Sequence, residues 1–206
     1  MSKSSEDYCR LCGNYTRMTF EHIPPHSAFN DQQRLFETTQ DLLGERNYSR
    51  FRKGLGKYSL CINCNRKTGS WYGKAFVNWT RQGMDWLDKL GQEPHIDLPF
   101  YIRPLNVIKQ VLVMAIAMSS RQTIPYHYEL RRFLLNPEQK YLPPKYRVFT
   151  YFNLNGIPRF ASDMVIANVV EGAGSYVEAE VALPPFGYCV SKPVNSMKSL
   201  ARVFGN

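Results

Sequence analysis

Apolar and polar residues follow two different periods along this chain, and the change between them falls near residue 146. Pro104 opens the stretch LNVIKQVLVMAIAMSSR, which reads as a helix of about 16 residues with Pro in its first turn. Its second half, Val111 to Met118, is apolar without interruption, the pattern of a helix buried on nearly all sides. A second helix is predicted from Tyr126 to Leu135, ending before Asn136-Pro137. From Tyr146 onward the period is two. Strands are predicted over Tyr146–Asn153, from Phe160 onward, and over Met164–Val170, Ser175–Leu183 and Phe186–Val190. Asn155-Gly156 between the first two predicts a type I′ hairpin turn that pairs them. The alternation of Glu178 and Glu180 in YVEAEVAL fits a sheet with one wet face. Residues 104–206 thus read as an α+β domain, a buried helix on an antiparallel sheet.

The N-terminal part patterns less regularly. A helix is expected to begin at Asn65, although Gly69 and Gly73 lower its propensity. Trp71, Tyr72, Phe76 and Trp79 fall on one face of it, and core packing outweighs base stacking as their role. Residues 83–103 read as a mixed linker with a short helix near Met84 to Leu90.

Composition then narrows the class. The chain has 206 residues, 44% of them hydrophobic, enough to bury a core without disulfide help. The apolar run at 111–118 is far shorter than the roughly 20 residues of a membrane span. The N-terminus MSKSSEDYC carries no apolar signal region, so the expectation is a cytoplasmic protein with no membrane partner.

Charge changes the picture more. The net charge is +9, and all of it resides in residues 46–81. That segment holds Arg46, Arg50, Arg52, Lys53, Lys57, Arg66, Lys67, Lys74 and Arg81 with no Asp or Glu, while the rest balances 17 basic against 17 acidic side chains. A concentrated cationic segment on an otherwise neutral protein points to a polyanionic partner, nucleic acid first. A solvated basic face without a partner is the other reading.

Four of the five cysteines form two CxxC pairs, Cys9/Cys12 and Cys61/Cys64. Two intervening residues let a tight turn aim both sulfurs at one ion, so the pairs read as a structural tetrathiolate zinc site. Disulfides are the alternative, disfavoured in a cytosolic setting. Cys189 reads as a buried core thiol. Zinc would close the chain between residues 9 and 64 around the stretch TFEHIPPHSAF.

The order CRLCG (9–13), EHIPP (21–25) and CINCNRKTG (61–69) resembles the zinc-stapled branch of the HNH, or ββα-metal, endonucleases. The resemblance implies an HNH-like nuclease module over residues 1–82, followed by the linker 83–103 and the α+β domain 104–206. It implies His22 as the general base on water, and Glu21 and Asn65 as ligands of one catalytic divalent ion, Mg or Mn. Glu21 stands where Asp is commoner, and the middle Asn of the motif has no counterpart in GLGKYSL. An insertion occupies residues 30–57. The residue chemistry is compatible. Histidine titrates near neutral pH, carboxylate and amide oxygens suit a hard cation, and Pro24-Pro25 ends a strand just after His22. His26 is either a substrate-contacting neighbour or an ordinary surface histidine.

Two functions follow. One is a metal-dependent endonuclease, acting most naturally on DNA, with Arg46, Arg50, Arg52, Lys53, Lys57, Arg66 and Lys67 as nucleic-acid contacts. The other is a non-catalytic, zinc-dependent binder of nucleic acid or a protein partner. The C-terminal domain carries no readable chemistry and would position substrate, form a homodimer or receive a regulatory partner.

Overall fold

The computed structural model describes residues 5–32, 34–40, 46–52, 54–87, 89, 97–168 and 173–194. Strand β1 (Glu6–Tyr8) pairs antiparallel with β2 (Tyr15–His22). The insertion predicted at residues 30–57 is a two-stranded ribbon of β3 (Arg34–Gln40) and β4 (Arg46–Phe51). Strand β5 (Gly56–Cys61) then returns to pair with β2, which completes a three-stranded sheet in the order β1-β2-β5.

Helix α1 (Ile62–Thr68) starts directly at the second knuckle, with Cys61 as its N-cap. The glycines expected to interrupt it do not break the chain direction. Gly69–Gly73 is a single π-helical turn, and helix α2 (Lys74–Leu87) follows without a break. The extra residue in that turn frees a carbonyl, and the Asn106 amide donates to Trp71 O at 2.8 Å. The short helix expected at 84–90 is the end of α2, because the apolar face started by Phe76 and Trp79 continues to Leu87. Residues 88 and 90–96 lie outside the described residues.

Helix α3 (Pro104–Met118) matches the sequence expectation closely. Its apolar surface is needed all round because it touches α2 and the π turn, β5, helix α4 (Tyr128–Leu135), and the C-terminal sheet. A 3-10 segment, Arg121–His127, leads into α4. Even Lys109 is hidden within α3. Its ammonium donates to Asn136 O (2.8 Å) and Pro137 O (3.0 Å) and sits over the Phe133 and Tyr72 rings. Desolvation lowers its pKa, with the Glu138 charge opposing.

The C-terminal sheet consists of β6 (Arg147–Phe152), β7 (Arg159–Asn168), β8 (Ala173–Leu183) and β9 (Phe186–Val194) in the order β6-β9-β8-β7, all antiparallel. The expected pairing of β6 with β7 across Asn155-Gly156 is therefore incorrect, although Gly156 does adopt a positive φ of 66°. Pro158, which has no N–H for a ladder, stands where that pairing would begin. Asn153 instead donates its backbone N–H to Pro185 O (2.8 Å) and its side chain to Ile157 O (3.0 Å). The two strands part to opposite edges of the sheet. The strand expected at Met164–Val170 lies in β7 as far as Asn168, and residues 169–172 are outside the described residues.

One buried cluster runs from Cys9, Leu11 and Met18 through Phe76, Trp79 and Val111–Met118 to Val181, Phe186 and Tyr188. The aromatic stripe of α2 belongs to it, with Trp79 stacked on Phe186 at 4.3 Å between ring centroids. No helix among the described residues is long and apolar enough to cross a membrane.

Candidate metal and active site

The two knuckles meet. Cys9, Cys12, Cys61 and Cys64 bring their sulfurs within 4.8 Å of one another. Four thiolates around one tetrahedral zinc, with Zn–S near 2.3 Å, require about 3.8 Å between sulfurs, so the cluster fits a structural metal such as zinc. Local backbone bonds shape it: Cys9 N–H to Asn14 O, Gly13 N–H to Cys9 O, and Cys61 N–H to Cys9 Sγ at 3.3 Å. Helix α4 supports the first knuckle from outside, as Arg131 Nε donates to Leu11 O at 2.6 Å. The thiols alone cannot share the charge. The bond from Cys64 holds the Cys9 thiol down at about 4, burial pushes Cys12 up to about 11, and the bond to Cys9 pushes Cys64 up as well. A cation resolves that conflict.

Glu21 and His22 are the last two residues of β2, where the prolines stop the strand. Successive strand residues point to opposite sides. His22 shares its side with Phe20, whose ring it meets edge-on at 5.0 Å, and it meets the His26 ring at the same distance. Glu21 shares its side with Thr19, the side on which α1 lies. Asn65 on α1 donates from Nδ2 to Thr19 Oγ1 (3.1 Å) and Phe20 O (3.2 Å). These two bonds fix the amide plane, and no donor among the described residues meets its Oδ1.

Glu21 is only 7% exposed. Lys57 is its cross-strand neighbour, yet the Lys57 ammonium donates to Met118 O at 2.8 Å. Among the described residues no hydrogen-bond donor or cation meets the Glu21 carboxylate. Burial accordingly pushes its pKa up to about 8.

Asn30 is the residue that sequence reasoning missed. It is fully buried and clamps the strand end: Nδ2 donates to Pro24 O (2.6 Å) and Leu55 O (2.8 Å), and Leu55 N–H donates to its Oδ1 (2.6 Å). Ile23 N–H adds a bond to Leu55 O at 2.9 Å. Gly54, at φ 80°, permits the approach, since a Cβ there would lie 1.9 Å from Asn30 O. Only its place after the two prolines hinted at this role. Asn30→Ala leaves Pro24 O and Leu55 N–H without this partner, while Leu55 O keeps its bond from Ile23, and the expected cost is about 3 kcal/mol, read as a lower urea midpoint with unchanged slope. A loss under about 0.5 kcal/mol would show that the clamp is dispensable.

The expected nucleic-acid contacts are dispersed. Arg46 and Arg50 lie in β4, and Arg52 is exposed just beyond it. Arg66 and Lys67 are exposed in the last turn of α1. Lys57 ties β5 to the C-terminal end of α3, and Lys53 lies outside the described residues. Cys189 is half-buried on β9, where burial and then the Glu180 charge raise its pKa. Comparison with protein-family models, curated proteins and solved structures finds no match to the chain.

Proposed function

We propose that the chain is a divalent-metal-dependent endonuclease of the HNH type, hydrolysing phosphodiester bonds in DNA. The observation that carries this reading is Glu21: a buried carboxylate that no donor or cation among the described residues meets, on the strand face to which Asn65 is bonded. A buried carboxylate in that state must take a proton or a cation. Glu21 and the Asn65 amide oxygen would hold Mg²⁺ or Mn²⁺, which when bound supplies positive charge to the phosphate and the leaving oxygen. Thr19 Oγ1 and Phe20 O orient the Asn65 amide. His22, leaving the strand on the other side, accepts the proton of an attacking water at a ring nitrogen. In-line displacement requires attacking and leaving oxygens on opposite sides of phosphorus, and two side chains diverging from one strand end suit that demand.

The test is cleavage of supercoiled plasmid by zinc-loaded protein with Mg²⁺, Mn²⁺ or chelator. Nicking is expected with either ion and none with chelator, and Glu21→Gln should lose it. Absence of cleavage of DNA and RNA under all these conditions would reject catalysis in favour of a zinc-dependent binder. Glu21→Gln also carries a stability signature. The folded state raises the Glu21 pKa from 4.5 to about 8, so its favourable contribution is complete below about pH 4.5. That contribution is lost as pH rises to 8. Without divalent ions, the neutral Gln variant should therefore be the more stable protein at pH 8, with little difference at pH 4. A variant less stable at pH 8 would show that the carboxylate has a partner.

A further inference from the structure

Helix α1, the π turn and helix α2 form one rod from Ile62 to Leu87. Buried side chains recur along it every four residues, at Cys64, Thr68, Tyr72, Phe76 and Thr80. A spacing of four drifts around an α-helix, and the extra residue of the π turn takes up that drift. The buried stripe therefore stays on one side of the rod. Two positions further on, about 200° around the axis, lie Arg66, Ser70, Lys74 and Asn78, and Arg81 continues the line. All five are exposed.

That exposed line is cationic and unopposed. From Ile62 the first acid of the rod is Asp85, beyond Arg81. Arg66, Lys74 and Arg81 make no ion pair among the described residues. They stand about 11 Å apart along the axis, about 22 Å from first to last. The aromatic rings of the same rod are turned elsewhere: Tyr72, Phe76 and Trp79 are buried and Trp71 is half-buried. The line begins at the candidate site, since Arg66 follows Asn65, whose amide is bonded to Thr19 and Phe20.

We infer that Arg66, Lys74 and Arg81 form a track for the phosphate backbone of duplex DNA, leading away from the Glu21–Asn65 site along the helical rod. The inference rests on the nucleic-acid reading above and extends it to Lys74 and Arg81. Charge complementarity selects the partner, because exposed cations without counter-charges attract a polyanion. A straight line about 22 Å long matches about six or seven base pairs at 3.4 Å each, and a duplex is stiff over that length. Single-strand binding relies on stacking against aromatic rings, and the rings of this rod face the core. The track reads no sequence, since phosphate contacts position a duplex and base contacts specify it.

The test is binding, in a His22→Ala background so that no arm of the experiment depends on cleavage. Fluorescence anisotropy is measured with a short labelled DNA duplex and with one of its strands, between about 50 and 200 mM salt. The duplex should bind the tighter of the two. Arg66→Gln/Lys74→Gln/Arg81→Gln should weaken duplex binding at least about tenfold and reduce its salt slope by about 2.7. Arg132→Gln/Lys140→Gln/Lys145→Gln makes the same change of charge on α4 and the segment after it, and should bind as the parent does. Both variants should keep their zinc and circular dichroism, because the substituted side chains lie at the surface. The inference is overturned if the rod variant binds the duplex as its parent does, if the α4 variant loses as much, or if the single strand binds as tightly as the duplex. Displacement of the duplex by polyglutamate as readily as by unlabelled DNA of equal charge would also overturn it. Plasmid left intact by the wild type while the rod-specific loss appears would reject the nuclease reading alone.

Discussion

His22→Ala is expected to yield a folded, zinc-loaded protein whose plasmid cleavage falls by at least about a hundredfold, the usual loss for a positioned general base. His22 is half-buried, and its ring meets those of Phe20 and the exposed His26 edge-on, so truncation at this partly open position is expected to leave no large cavity. The backbone at that point has bonds of its own. Ile23 is held to Leu55, and Asn30 clamps Pro24 to the same residue. Chemistry and stability therefore separate: the urea midpoint should hardly move while cleavage collapses. Free imidazole should restore part of the rate, which a merely structural role would not allow. His26→Ala serves as the comparison. Its ring touches His22 without belonging to the strand, and its loss should cost less than about tenfold. Wild-type cleavage by His22→Ala would remove His22 from the mechanism.

What could be read from the sequence, and what could not, divides along physical lines. The knuckles were legible because their spacing is a local property, and closure of Cys9 and Cys12 on Cys61 and Cys64 needs only that one ion accept four sulfurs. Helix α3 was legible because burial on every side leaves an unbroken apolar run. The strand end at His22 was legible because Pro24-Pro25 stop a ladder wherever they stand. Pairing partners were less so. The chain does turn there, through Gly156 N–H to Asn153 O, but Gly156 alone of the Asn155-Gly156 pair has a positive φ, so the turn is not the expected type I′ hairpin, and β9 occupies the edge beside β6. The insertion was visible only as length. Leu35 and Phe36 of β3 are adjacent instead of alternating, and β4 sets only Tyr48 and Phe51 among polar residues, so the period-two pattern lacked contrast.

The site shows the same division. Glu21, His22 and Asn65 were named from the family resemblance, and the Asn65 amide is bonded to Thr19 and Phe20 of the strand that carries the other two. Asn30 could not be found this way, because its partners are 6 and 25 residues distant along the chain. Lys57 counted toward the basic segment, yet it stitches β5 to the end of α3. Formal charge in a sequence does not reveal whether a lysine faces solvent or a helix carbonyl.

If the cysteine cluster holds zinc, as we propose, its removal is expected to have the largest effect on the fold. Cys61 caps α1, and Asn65 stands one residue beyond Cys64. A metal held by the four cysteines would therefore fix the start of the helix that brings Asn65 to Thr19. Without a cation the cluster retains one stabilised thiolate at Cys9, with Cys12 and Cys64 pushed up as neutral thiols. Structural zinc supplies about 10–16 kcal/mol of apparent binding energy, as much as the whole stability of an ordinary domain, about 5–15 kcal/mol. Chelation, or Cys64→Ser, should accordingly abolish the native state of β1, β2, β5 and α1. Mass spectrometry should find one zinc per wild-type chain and none in the variant. Hydrogen exchange should lose protection first in those four elements and later in α3, which keeps its contacts with the C-terminal sheet. Cys189→Ser, outside the cluster on β9, should keep its zinc and its protection pattern. A metal-free protein that melts and exchanges like the loaded one would reduce the four cysteines to an incidental cluster. It would also leave the orientation of Asn65 to its two hydrogen bonds alone.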